Sequence, residues 1–145
     1  MQLGYVFPET FLTNESIKQN IAFGVEEKKI DNNLINHAII KSELFDFVEN
    51  LNEKIETKIG EFGAKISSGQ RQRIGIARAL YHVPKLLILD EATSALNLEV
   101  EKKILNNLIK LGKDITILII SHRESTLVNC DKIFRVEDGA LKRIK

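Results

Sequence analysis

Residues 66–97 read Ile-Ser-Ser-Gly-Gln-Arg-Gln-Arg-Ile-Gly-Ile-Ala-Arg-Ala-Leu-Tyr-His-Val-Pro-Lys-Leu-Leu-Ile-Leu-Asp-Glu-Ala-Thr-Ser-Ala-Leu-Asn. Two elements follow from this stretch. The small Ser-Gly turn opens a helix predicted over Ser68–Tyr81, which stops before Pro84 because the residue preceding a proline is driven out of helical geometry. Leu86–Leu89 is a continuous apolar run, the pattern of a strand buried on both faces of a parallel sheet, and it ends in two carboxylates, Asp90 and Glu91. Both ends are chemically useful positions. A helix N-terminus exposes unpaired N–H groups and the positive end of its dipole, so it favours an anion. The carboxyl end of a strand is where open α/β sheets build their sites. Each feature alone also has an ordinary structural reading: Ser67 as a helix cap, and Asp90-Glu91 as an acidic loop.

Working outward, the chain downstream alternates strands and helices. A helix is expected over about Leu98–Leu111, stopped by Gly112, and a β-branched strand over Ile115–Ile120. A short helix over Glu124–Val128 follows, then strands over Lys132–Val136 and Ala140–Ile144 joined by a turn at Asp138-Gly139. Upstream the chain is mostly helical after a short strand, Gln2–Val6. Thr13 or Asn14 can cap a helix from about Glu15 to Gly24, and a second helix begins after Asp31. Its apolar stripe, Leu34, Ile35, Ala38 and Ile39, continues through Leu44, Phe45 and Val48. Ile55–Ile59 reads as a weak strand or an extended loop. The order of elements argues for a parallel sheet with a terminal hairpin.

Composition bounds the rest. A chain of 145 residues suits one domain with a core. A net charge of +1 supplies no field to draw in nucleic acid or an anionic membrane, so no nucleic-acid partner is expected. The single cysteine, Cys130, excludes an internal disulfide and suits a reducing cytosol. The longest apolar runs are far too short to span a bilayer. The opening Met-Gln-Leu-Gly-Tyr-Val has neither the basic region nor the apolar core of a signal peptide. His37 and His82 lack a chemical context and read as structural or solvent-facing, and no Cys/His spacing suggests zinc.

Taken together, the motifs resemble those of ATP-binding cassette (ABC) ATPases, and the resemblance covers essentially the whole chain. Ser67-Ser68-Gly69-Gln70 is similar to the family signature Leu-Ser-Gly-Gly-Gln, with Ser68 standing where the glycine pair begins. Leu86–Glu91 resembles the Walker B strand with its catalytic glutamate. Ala92–Leu96 resembles the D-loop, with Asn97 in place of aspartate, which keeps an oxygen and loses a charge. His122, after Ile-Ile-Ser, is similar to the switch histidine. Thr57–Gly63 resembles an exporter-type Thr-Glu-Val-Gly-Glu-Arg-Gly segment with Phe62 in place of arginine, and Thr13–Gly24 resembles the exporter helical subdomain. Tyr5–Leu12 resembles the Q-loop stretch Tyr-Val-Pro-Gln-Glu-Thr-Phe-Leu, with Pro8 in the glutamine's place; proline has no side-chain amide and no N–H. No Gly-x-x-x-x-Gly-Lys-Ser/Thr, the phosphate-gripping P-loop, occurs in the 145 residues.

The resemblance implies an α/β fold, a partial P-loop NTPase core with a parallel sheet plus a helical signature subdomain. The helical part would span about residues 10–66 and the core about 67–145. It implies ATP binding and hydrolysis powering transmembrane export, with ATP and Mg²⁺ as cofactors. By the same resemblance Asp90 would hold the metal through water. Glu91 and His122 would be catalytic, and Ser67, Ser68, Gly69 and Gln70 would face the γ-phosphate of ATP held by the opposite subunit. The implied partners are a second nucleotide-binding domain and an exporter's transmembrane domain, on the cytoplasmic side of the cell membrane. The missing P-loop leaves other readings open: a fragment or incomplete subunit, or a non-enzymatic module whose signature turn completes a partner's ATP site. A third is a non-transport ABC ATPase, which would be expected to carry long heptads or a basic stripe.

Overall fold

The computed structural model describes residues 2–145, apart from the side chains of Phe62 and Lys113. In chain order the elements are β1 (Leu3–Val6), α1 (Ile17–Ile21), α2 (Asn32–Lys41), α3 (Phe45–Glu49), α4 (Ser68–Tyr81), β2 (Leu86–Asp90), α5 (Leu98–Ile109), β3 (Thr116–Ile120), α6 (Glu124–Leu127), β4 (Phe134–Glu137) and β5 (Ala140–Arg143). β1, β2 and β3 form a parallel sheet in that order, with Leu3 opposite Leu86 and Asp90 opposite Ile120. β4 and β5 form a separate antiparallel hairpin. Its turn is the expected Asp138-Gly139, and both residues take positive φ, +52° and +74°, as a two-residue hairpin turn requires.

Helix α4 is the centre of the molecule. Its buried Ile74, Ile76 and Ala77 share one hydrophobic core with Val6, Leu87 and Leu89 of the sheet, with Ile17, Ile21, Ile35 and Ile39 of α1 and α2, and with Ile104 and Leu108 of α5. The helical segment and the sheet therefore share a core. Gly75 is required by this arrangement, because a Cβ there would lie 2.2 Å from Thr10 Oγ1.

Three local expectations are corrected. The first helix begins at Ile17 and is capped by Ser16, not by Thr13 or Asn14. Ser16 Oγ accepts from the Gln19 N–H while Gln19 Oε1 accepts from the Ser16 N–H, each at 3.2 Å, a reciprocal box that satisfies two end groups. Thr13 is occupied instead with Asn20, whose Oδ1 accepts from the Thr13 N–H at 3.0 Å. The apolar stripe of α2 does not run on into α3, because Glu43 adopts φ +57° and breaks the helix after Ser42. Of the weak strand or extended loop expected over Ile55–Ile59, the start is overturned, since residues 54–56 form a tight helical turn, while Thr57 is extended and Lys58 bridges antiparallel to Ser16.

The sheet corrects a fourth. β2 is buried on one face only: Leu87 and Leu89 are covered, while Leu86 and Ile88 are half-exposed. The same outer face carries Leu3, Tyr5, Leu118 and Ile120, all exposed. An open apolar sheet face with unpaired outer edges on β1 and β3 favours association. At micromolar concentration the 145-residue chain should scatter light as more than a 16.5 kDa monomer, and Leu118→Lys should shift it toward monomer. A monodisperse wild-type monomer would contradict this.

Candidate functional site

The Ser67–Gln70 turn is built by its own side chains. Ser67 Oγ accepts from the Gln70 N–H at 3.2 Å, and Gln70 Oε1 accepts from the Ser67 N–H at 2.8 Å. The Gln70 side chain is thus committed to starting α4, while Ser67 and Ser68 stay exposed. Gly69 allows a close approach: a Cβ there would be 3.3 Å from the Ala95 carbonyl oxygen and 3.5 Å from Leu96 Cδ2. The turn therefore abuts the 93–96 loop that follows the two carboxylates. Pro8, Thr10, Ser68, Gln72, Ser94 and Ala95 help to line a cleft of about 600 Å³ beside it.

The basic residues after the turn hold α4 in place. Arg73 donates to the Glu43 carbonyl, and burial lowers its pKa. Arg78 donates to the carbonyls of Asn20 (2.8 Å) and Phe11 (2.9 Å) and stacks on Phe23 with its guanidinium 4.8 Å from the ring centroid; burial lowers its pKa too. Phe62, the departure in the exporter-like segment, has its side chain outside the described residues.

At the carboxyl ends of β2 and β3 the predicted acidic pair and histidine come together. Glu91 Oε1 lies 3.3 Å from His122 Nδ1, and the Glu91 N–H donates to the Ile120 carbonyl at 2.9 Å. Glu91 takes φ +46°, a left-handed backbone that turns the chain directly off the strand. A tautomer with Nδ1–H donates to this carboxylate and leaves Nε2 an acceptor, so donation from Nε2 to an anion requires the ring to be protonated. Asp90 accepts from the Tyr5 hydroxyl at 2.7 Å, and that hydrogen bond raises the tyrosine's pKa. Asn97 caps α5, its Oδ1 accepting from the Val100 N–H at 2.9 Å. The cap needs the side-chain oxygen, which asparagine keeps, so the loss of charge does not disturb the helix start.

Among the described residues no three His, Cys, Asp or Glu side chains group to cage a metal. Asp90 nevertheless fits Mg²⁺ chemistry, since that ion takes one or two carboxylates and completes its shell with water and substrate phosphates.

Sequence patterns missed four participants. Tyr5 pairs with Asp90 across neighbouring strands. Gln72 donates to Ser94 Oγ at 3.0 Å and accepts from the Ala95 N–H at 2.9 Å. Arg123 and the buried Glu101 meet behind the 93–96 loop. The only signal available was position: Arg123 directly follows His122, and Tyr5 lies in the stretch that precedes Pro8.

The site is thus a parallel sheet whose strand ends present Asp90, Glu91 and His122, with a helix N-terminal turn against the loop that follows the two carboxylates. The family model described as "ABC transporter" matches residues 1–94, and the chain belongs to that family. The ATP-dependent lipid A-core flippase of Vibrio parahaemolyticus is 44% identical over 140 residues, covering 97% of this chain and 24% of that protein. The alpha-hemolysin translocation ATP-binding protein HlyB of Proteus vulgaris is 44% identical over 140 residues, covering 97% of this chain and 20% of that protein. A bacterial Atm1-family ABC exporter solved with ATP bound superposes with a TM-score of 0.88 at 34% identity, over 97% of this chain and 24% of that one. The chain thus spans about a quarter or less of the length of these relatives. Among the described residues no helix is long and apolar enough to cross a membrane.

Proposed function

We propose that this chain supplies the signature and hydrolytic part of an ATPase that powers transmembrane export, in an ABC transporter whose P-loop lies outside these 145 residues. The observation that carries the reading is Glu91 and His122, 3.3 Å apart at the ends of adjacent parallel strands. Glu91 accepts a proton from the attacking water. His122 would hold a terminal phosphate oxygen, and Asp90, aligned by Tyr5, would help to hold Mg²⁺. The metal, when bound, neutralises phosphate charge. Ser67, Ser68 and Gly69 present the N-terminal N–H groups of α4 to ATP carried by a second nucleotide-binding domain, while Gln70 shapes the turn. Residues 10–66 act as the helical subdomain facing the transmembrane domain, and 67–145 as the catalytic core, on the cytoplasmic side of the membrane.

The absent Gly-x-x-x-x-Gly-Lys-Ser/Thr favours one second reading, a module that completes a partner's ATP site without hydrolysing ATP itself. Either way, a P-loop's backbone nest and lysine supply most phosphate affinity. Calorimetric titration of the chain with Mg-ATP should therefore give a dissociation constant no tighter than about 1 mM. A micromolar constant would mean that the phosphates are gripped by residues identified here, and would overturn the requirement for an outside P-loop.

A further inference from the structure

The 93–96 loop is held by side chains from two elements. Gln72 reaches it from α4. Arg123, just beyond β3, spans three of its carbonyls: Nη2 donates to Ser94 O at 2.7 Å, and Nη1 donates to Thr93 O and Leu96 O, each at 3.4 Å. Behind Arg123 lies Glu101 of α5, 2% exposed, with Oε2 3.7 Å from Nη1. Glu101 Oε1 accepts from the hydroxyls of Thr93 (2.6 Å) and Thr126 (3.0 Å). Ser121 closes the ring: its Oγ donates to Thr126 Oγ1 at 3.2 Å and accepts from the Arg123 N–H at 3.0 Å. His122 lies between two members of this ring in sequence, Ser121 and Arg123, with its exposed side chain facing Glu91.

A buried carboxylate must be neutralised and hydrogen-bonded. Glu101 needs a cation and two hydroxyls for that, and a lysine at 123 would serve. It does not need a cation that also fans across three carbonyls of one loop, which only a guanidinium's planar fork can do. We propose that Arg123, braced by Glu101, is a positioning residue: it fixes the 93–96 loop, and through it the Ser67–Gln70 turn, relative to the Glu91–His122 pair. Arg123 acts through the loop's backbone carbonyls. Its catalytic consequence rests on the ATPase role proposed above, whereas the held geometry does not.

Arg123→Lys separates the two roles, since it keeps a charge for Glu101 and loses the fork. Amide exchange followed by NMR on the 145-residue chain should quicken about tenfold or more at Leu96 and Ala95. Their N–H groups donate to Thr93 O and Gln72 Oε1. Ile104 and Leu105 in α5 should exchange at wild-type rates, and the urea midpoint should stay close to wild type. Glu101→Gln, remote from His122 in sequence, should move the His122 imidazole resonances and leave those of His37 and His82 in place. In the transporter, Arg123→Lys should lower kcat about tenfold with KM for ATP nearly unchanged. Wild-type exchange at Leu96 and Ala95 in Arg123→Lys would overturn the proposal, as would loop and α5 amides accelerating together or His122 resonances unmoved by Glu101→Gln. A transporter that hydrolyses no ATP even with wild-type residues would sink the ATPase reading alone, and the exchange data would still decide the role of Arg123.

Discussion

In the assembled transporter, Glu91→Gln should lower ATP turnover by about 10²- to 10⁴-fold, the usual worth of a general base, and leave ATP binding intact. The amide preserves the size of the side chain and can still accept at the 3.3 Å contact from His122, so the strand-end geometry persists. What it loses is the capacity to take the water's proton. Phosphate release measured beside equilibrium nucleotide binding checks the result. Turnover within a few fold of wild type would remove Glu91 from the proton-transfer role and leave the His122 contact as a structural one.

The second large effect is on stability. Gly75→Ala places a methyl 2.2 Å from Thr10 Oγ1, 3.0 Å from its Cγ2 and 3.1 Å from its Cβ. Thr10 is buried and tied into the loop that contains Pro8, so the loop rather than a flexible side-chain end must give way. Overpacking of this kind costs about 1–3 kcal/mol. Thr10 Oγ1 has no hydrogen-bond partner among the described residues. Thr10→Ala alone should therefore be nearly neutral, because no bond is lost, and in combination it should restore much of the Gly75→Ala deficit by removing the two nearest atoms. Urea unfolding of the four chains gives the cycle. Strict additivity would mean that the clash is relieved elsewhere.

What could be read from the chain alone was what is local. Helix α4 has the expected ends because its stop and start are written in neighbouring residues, Ser67 with Gln70 at one end and Pro84 beyond the other. The Asp138-Gly139 turn is legible for the same reason. The positions of Asp90, Glu91 and His122 follow from strand ends, and the structure brings the last two together. Capping was ambiguous where several candidates crowd, as at Thr13, Asn14 and Ser16, because only the fold shows that Thr13 is engaged by Asn20. The break at Glu43 leaves no mark, since glutamate is an ordinary helix former. Leu86–Leu89 is apolar on both sides, so that run alone does not say which of its faces is covered. Links between residues far apart in sequence, such as Thr93, Glu101, Arg123 and Thr126, obey no period, and so no spacing rule could propose them.

The backbone at Glu91 carries one more implication. A residue with a side chain held at φ +46° costs about 1–3 kcal/mol, and glycine or asparagine would relax it. Selection of this chain for heat resistance alone should therefore favour glycine or asparagine at position 91, and each such winner would have discarded the carboxylate. Under the proton-accepting role proposed for Glu91, sturdiness and turnover would compete here at a single codon.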